Sequence, residues 1–368
     1  MPKQHKFLFA GDVVMNSKPE FSADLQQLLA SATVLSCNFE APVAGYGKAI
    51  AKTGPHVCQH AESVNWLYQE GFNLFSLANN HINDYGKEAL KKTISLFKKG
   101  DVVGVGDERE ALEPVVREME GLKFAFMAFG ENGYGALNGD RSYGHAWVNA
   151  EGVDEKIRRC KEKVDVLIVQ VHAGVELLDV PIPEWKSRYQ ELIEAGADVV
   201  VAHHPHVLQG METYKGKLIC YSLGNFYFDY PSNHPQWNRG GLLELQFEGK
   251  ELSGYQMHVV EKKGTKLDLL SEAASKELLG NLQEKLEGND YLDLVNRFAV
   301  KEWDKHHLGY YAKPFNGLMS YSPKGILKHL KRSIFNRKVD YNMIWHNLFI
   351  ESNKWLVERA IRKKMSDK

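Results

Sequence analysis

Seven apolar runs rich in β-branched and aromatic residues recur through the first 230 residues: "KFLFAGD", "TVLSCNFE", "LFSLANN", "KFAFMAFG", "VDVLIVQVHAG", "ADVVVAHHPH" and "KLICYSLGNFYF". Several are almost continuously apolar, as strands buried on both faces are. Between them lie helix-patterned segments such as "ESVNWLYQEG", "GKEALKKTISLFKKG" and "PEWKSRYQELIEAG", with glycine as a stop signal. Strand alternating with helix predicts a layered α/β domain. "GGLLELQFEGKELSGYQMHVVEKKG" then predicts a β-hairpin or meander that closes it. From about residue 270 the pattern turns helical, with "KPFNGLMSYSPKG" as a loop and Ile344, Leu348, Phe349, Trp355 and Leu356 at helical spacing. The expected division is an α/β domain over 1–262 and a helical, basic extension over 263–368.

Bulk properties narrow the partners. A net charge of −1 argues against a chain that coats nucleic acid with its whole surface, and no nucleic-acid partner is expected. The four cysteines (Cys37, Cys58, Cys160, Cys220) form no CxxC pair, so reduced thiols are expected instead of a disulfide framework or a thiolate zinc site. The opening "MPKQHKFLFAGDVVMN" is too short in apolar residues for an export signal or a membrane span. A cytoplasmic location is expected. From Pro323 onward twelve Lys/Arg stand against four acids. That excess is either a solvated helix face or a contact for an anionic membrane surface, an anionic polymer or a protein partner. A membrane contact would place the chain at the inner face of the membrane.

Polar residues cluster where the apolar runs end. Asp12 ends the first run and Glu40 the second. Asn80 and His81 end the third in "SLANNHINDYG", His172 ends "IVQVHAG", and His204 and His206 end "VVVAHHPH". Ligands of open α/β sheets bind at the carboxyl ends of strands. A mixed set of oxygen and nitrogen donors without thiolate suits Mn²⁺, Fe²⁺ or Zn²⁺. Taken singly, each residue has a plainer role. Asp12 fits a turn, Asn80 and Asp84 fit caps of a helix starting near Tyr85, and His172 fits a satisfied core histidine. Pro205 between His204 and His206 fixes the backbone that carries both imidazoles. Strand alternation would turn His203 to the opposite side from His204.

Together "FAGDVVM", "NFEAP", "SLANNHINDYG", "VHAGVE", "VVAHHPHVLQG" and "YSLGNF" resemble the CapA-type capsule-biosynthesis (poly-γ-glutamate synthesis) family, a branch of the calcineurin-like metallophosphoesterase fold. The resemblance runs from about residue 6 to residue 230. It implies an α/β/β/α sandwich, here with a helical C-terminal extension, and a centre for one or two divalent ions (Mn, Fe or Zn). Asp12 would bind one metal and Glu40 would bridge. Asn80, His172 and His204 would hold the second metal, and His206 would return to the first. His81 would be a general acid beside the metals, oriented by Asp84. Glu176 would support His172, while Ser222 and Asn225 would pin their loop. The wider fold's Asp-x-His pairing is absent, because Val14 follows Asp12 by two. The first metal is therefore expected to be weakly held.

The resulting expectation is a metal-dependent hydrolase of phosphoesterase type in capsule, surface-polysaccharide or poly-γ-glutamate biosynthesis, with a phosphorylated or polyanionic substrate. Two alternatives keep the same residues: an amide hydrolase on a γ-glutamyl polymer, and a non-enzymatic polymer-handling or assembly component.

Overall fold

The computed structural model describes residues 4–139, 141–313, 322–335 and 339–366. The chain divides into two compact units, one of Met1–Ile50 and His56–Gly288, the other of Ala51–Pro55 and Asn289–Lys368.

The first unit is built on two facing sheets. One runs in the order Glu20–Phe21, Lys266–Leu269, Glu251–Lys263, Arg239–Glu248, Gln4–Val14, Val34–Phe39, Leu74–Ser76, Val102–Val103, and Asn225–Phe228 also pairs with Gln4–Val14. The other runs Met211–Tyr214, Lys217–Cys220, Val199–His203, Val166–His172, Leu122–Gly130, Val115–Met119. Its four inner strands are parallel, and an antiparallel strand closes each edge. Phe7, Phe9, Val34 and Leu74 of the first sheet share one core with Phe124, Phe126, Ile168 and Val201 of the second. Phe7 meets Phe124 edge-to-face at 5.0 Å, a pairing that adds about 0.5–1.5 kcal/mol to the burial of the rings.

The outer faces are covered by helices. Leu25 and Leu29 of Ala23–Ala30, Val64 and Leu67 of Ser63–Gln69, and Leu90 of Gly86–Ile94 join Leu8, Leu35 and Phe75 in a second core. Val153–Lys161 and Pro183–Glu194 bury Ile157, Trp185, Tyr189 and Leu192 on the far side of the second sheet. The four layers are those of the expected α/β/β/α sandwich, and the expected hairpin is Arg239–Glu248 with Glu251–Lys263. The helix Glu272–Glu287 sends Leu282 into the inter-sheet core. Its Gln283 amide donates to Met211 O and accepts from Met211 N, which occupies polar groups of the edge strand.

Two local expectations are corrected here. "KLICYSLGNFYF" is not one strand: Lys217–Cys220 belongs to the second sheet and Asn225–Phe228 to the first. Gly224, at φ 59°, makes the crossing, a conformation glycine adopts without steric cost. The loop expected over 313–325 falls mostly on 314–321, outside the described residues, while its last three residues open the helix Pro323–Phe335.

The second unit is helical. Val295 and Ala299 of Tyr291–Glu302 are buried, as are Leu356, Val357 and Ala360 of Glu351–Ser366, and the two helices pack together. Arg359 donates to Asn296 Oδ1 at 3.2 Å, and Asn347 links Tyr341–Phe349 to the backbone at Tyr310. Of the basic tail, Arg337, Lys338 and Lys368 lie outside the described residues. No helix of the described residues is long and apolar enough to cross a membrane.

Candidate metal centre

The first strand is irregular where the site begins. Its register with both Val34–Phe39 and Asn225–Phe228 shifts around Asp12, a bulge that re-aims one side chain. Asp12 is thereby fully buried at the upper edge of the inter-sheet space, with Glu40 just past the end of the neighbouring strand. Asp12, Glu40 and His172 each offer one ligand atom within 4.8 Å of the others.

The remaining candidates converge on the same place. Asn80 Oδ1 and His204 Nδ1 lie 3.0 Å and 2.9 Å from His172 Nε2. His206 Nε2 is 3.7 Å from Glu40 Oε1, and its Nδ1 is held by Asn225 Oδ1 at 2.9 Å. His81 Nδ1 meets Asp84 Oδ2 at 2.7 Å, and the same oxygen accepts the Val57 N–H at 2.7 Å. The eight residues assigned to the metals and to proton transfer therefore lie within one cluster of contacts or beside it, His81 being near enough for its charge to act on His172 and His206. Asp84 is not a helix cap: Tyr85 takes the N-cap position of Gly86–Ile94, without a side-chain hydrogen bond.

His204 and His206 follow the end of the strand Val199–His203 and both have positive φ, 95° and 58°. Such backbone costs on the order of 1–3 kcal/mol per residue and concentrates at functional sites. It also ends the strand alternation. His203 does not turn away from the centre; its Nδ1 is 3.6 Å from Asp12 Oδ1, and His204 N donates to Asp12 Oδ2 at 3.2 Å.

Two supporting residues, Asn38 and Glu131, carry no role in the sequence analysis. Asn38 donates to Asp12 Oδ1 at 2.8 Å and stands 3.0 Å from His172 Nδ1, turning His172 Nε2 toward Asn80 and His204. Glu131 lies 3.2 Å from His204 Nε2. Asn225, expected only to pin its loop, orients His206; Ser222 does pin it, accepting from Gly224 N at 3.1 Å. The charge of Glu176 acts on His204 and His206.

The electrostatics favour neutral imidazoles at His172, His203 and His206, beside buried carboxyls. Burial holds His172 well below the usual histidine range, and the neighbouring histidines push in the same direction. Burial also takes His206 to about 4 and His203 to about 3. Burial pulls His204 down as well, but the hydrogen bond and charge of Glu131, with Glu176 and Asp12, outweigh it and leave it raised. Burial raises Asp12 to about 7 against the opposing hydrogen bond from Asn38.

This donor set fits a divalent cation. A cation with bonds of about 2.1 Å sets adjacent ligand atoms about 3 Å apart, the spacing of Asn80 Oδ1 and His204 Nδ1 from His172 Nε2. Two fully buried carboxyl groups beside them are costly to ionise without a compensating positive charge.

Residues 6–230 match the family model described as bacterial capsule synthesis protein PGA_cap. The chain is 34% identical over 214 residues to the capsule biosynthesis protein CapA of Bacillus anthracis, covering 55% of this chain and 52% of that one. It is 30% identical over 238 residues to the PGA biosynthesis protein CapA of Bacillus subtilis, covering 60% and 62%. The chain thus spans between half and two thirds of the length of these relatives. Among solved structures it is similar to a hypothetical protein from Thermus thermophilus, with a TM-score of 0.46, 18% identity, and 70% and 100% of the two chains covered. It is also similar to a putative 5′-nucleotidase from Staphylococcus aureus, with a TM-score of 0.46, 13% identity, and 77% and 58% covered.

Proposed function

The chain belongs to the bacterial capsule synthesis protein PGA_cap family, and from that premise we propose that it is a divalent-metal-dependent phosphoester hydrolase acting in capsule or poly-γ-glutamate biosynthesis. The observation that carries this reading is the convergence of Asn80 Oδ1, His172 Nε2 and His204 Nδ1 beside the His81–Asp84 pair. Asn80, His172 and His204 would hold one Mn²⁺, Fe²⁺ or Zn²⁺. Asp12 and His206 would hold a second, more weakly bound ion, with Glu40 between the two. Bound there, the cations supply Lewis acidity at the phosphoryl oxygens and a water acidic enough to attack near neutral pH.

The protein's own groups do the rest. With Nδ1 directed at Asp84, His81 would give a proton from Nε2 to the leaving-group oxygen as the P–O bond breaks. Asp84 is fixed by its second bond to Val57 N and keeps the ring from rotating. Asn225 Oδ1 accepts from His206 Nδ1, as outer partners of metal-binding histidines do, and Asn38, whose Nδ2 lies 3.0 Å from His172 Nδ1, fixes the orientation of that ring.

A screen of phosphomonoesters, phosphodiesters and γ-glutamyl amides with Mn²⁺ present tests this reading, and phosphoester turnover is expected. Asp12 takes up a metal as the carboxylate, and burial raises its carboxyl to about 7. Metal affinity should therefore fall as pH drops below 7, by about tenfold per unit for each proton displaced. Turnover confined to γ-glutamyl amides would move the chemistry to the amide bond. Absence of any turnover with metal bound would favour a polymer-handling role.

A further inference from the structure

We propose that the helix Pro323–Phe335 is a membrane-surface helix that lays its aliphatic stripe on an anionic lipid bilayer. The helix, "PKGILKHLKRSIF", contains no acidic residue. Ser322 Oγ accepts from Gly325 N at 3.1 Å, and Pro323 stands in the first turn, so the start of the helix is locally encoded. At 3.6 residues per turn, Ile326, Leu327, Leu330 and Ile334 fall within one arc of about 100°. These four are 43%, 69%, 51% and 64% exposed, whereas Gly325 and His329 on another face are half-buried. A helix placed by core packing turns its aliphatic residues inward; this one turns them to solvent.

The charge pattern selects the occupant. Lys324, Lys328 and Lys331 are exposed and occupy the arc bordering one edge of the aliphatic stripe. In a helix lying flat on a bilayer, lysines at the edge of the buried stripe extend their ammonium groups to the headgroups while their stems lie along the apolar boundary. A hydrated polyanion would satisfy the lysines and leave four aliphatic side chains in water. A purely apolar protein groove would satisfy the aliphatics and leave the lysines without counter-charge. An anionic lipid surface satisfies both.

The inference is independent of the hydrolase reading, because the helix contributes none of the residues of the metal centre. The full chain is mixed with vesicles of phosphatidylcholine alone, or of phosphatidylcholine with phosphatidylglycerol at about 7:3, and sedimented in low and high salt. Binding to the phosphatidylglycerol vesicles, weakened by salt and absent from the neutral ones, is expected. Each of Lys324→Gln, Lys328→Gln and Lys331→Gln should weaken partitioning by about five-fold. Leu327→Ser/Leu330→Ser, and separately Ile326→Ser/Ile334→Ser, should abolish it while turnover and circular dichroism stay those of the wild type. Equal binding by the serine variants, or no binding by the wild type, would overturn the proposal. So would a wild-type dimer that the serine variants convert to monomer without lipid, which would show that a second copy covers the stripe.

Discussion

His81→Ala is expected to lower turnover of a phosphomonoester by about 10²–10⁴-fold and to leave the bound metal in place. The magnitude is that of removing a positioned proton donor. The selectivity follows from geometry, since His81 is committed through Nδ1 to Asp84 at 2.7 Å and contributes none of the three convergent atoms, Asn80 Oδ1, His172 Nε2 and His204 Nδ1. Asp84→Asn keeps the shape but loses the charge that orients the ring. Its cost should be about 10–100-fold, as for other outer-sphere partners. Metal analysis beside steady-state kinetics separates the roles. If His81→Ala empties the site, His81 is a ligand and the assignment of the proton donor fails.

Gly11→Ala should be among the most damaging single-methyl changes in the chain. A Cβ at Gly11 would lie 2.0 Å from Gly224 O and 2.9 Å from Leu223 O, both backbone atoms that cannot swing aside. Gly224 O is also the acceptor for the Asp12 amide at 2.8 Å. The added methyl must therefore separate the first strand from the crossing between the sheets and break a buried hydrogen bond. Overpacking and the lost bond together cost about 3 kcal/mol or more, which lowers the melting temperature by about 6–12 °C. Asp12 should be displaced at the same time, so metal affinity falls with stability. Gly280→Ala is the control. Gly280 lies inside the helix Glu272–Glu287 with nothing near its would-be Cβ, and alanine there should stabilise by about 0.5–1 kcal/mol. Equal melting temperatures for Gly11→Ala and the wild type would show that this close approach does not exist in solution.

The strand ends were legible because an apolar run that stops abruptly at a polar residue marks both the end of a strand and the rim where ligands bind. Glu40, Asn80, His172 and the His204–Pro205–His206 turn carry that signal, Asp12 stands instead at a register shift inside Gln4–Val14, and the fold brings them together. Glu131 carried it too: it follows Gly130, the last residue of its strand, and its contact with His204 could have been anticipated. Asn38 gave no such sign. It sits inside the run "VLSCNF", where a polar residue reads as an interruption until the partner sheet is known to place His172 opposite it.

The break between Cys220 and Asn225 was hidden for a related reason. Both halves are apolar strands, and only the tertiary pairing of Asn225 with Asp12 shows that the second half has changed sheets. The plainer cap reading of Asp84 fails although asparagine and aspartate before a helix usually cap it, whereas its role beside His81 matches the observed contact. Its real partner besides His81 is the Val57 amide, 27 residues earlier in the chain and beyond the reach of local reasoning.

The most direct test is the metal content of the full chain purified without chelator or added metal, beside His204→Ala/His206→Ala. The structure places His204 Nδ1 in the convergent trio and His206 Nε2 toward Glu40, so the double variant removes one imidazole from each proposed ion. About one to two ions of Mn, Fe or Zn per wild-type chain, lost in the variant, is the predicted result. A wild-type chain that carries no metal and takes up none from excess Mn²⁺ at about pH 8, above the raised value of about 7 for Asp12, would contradict it.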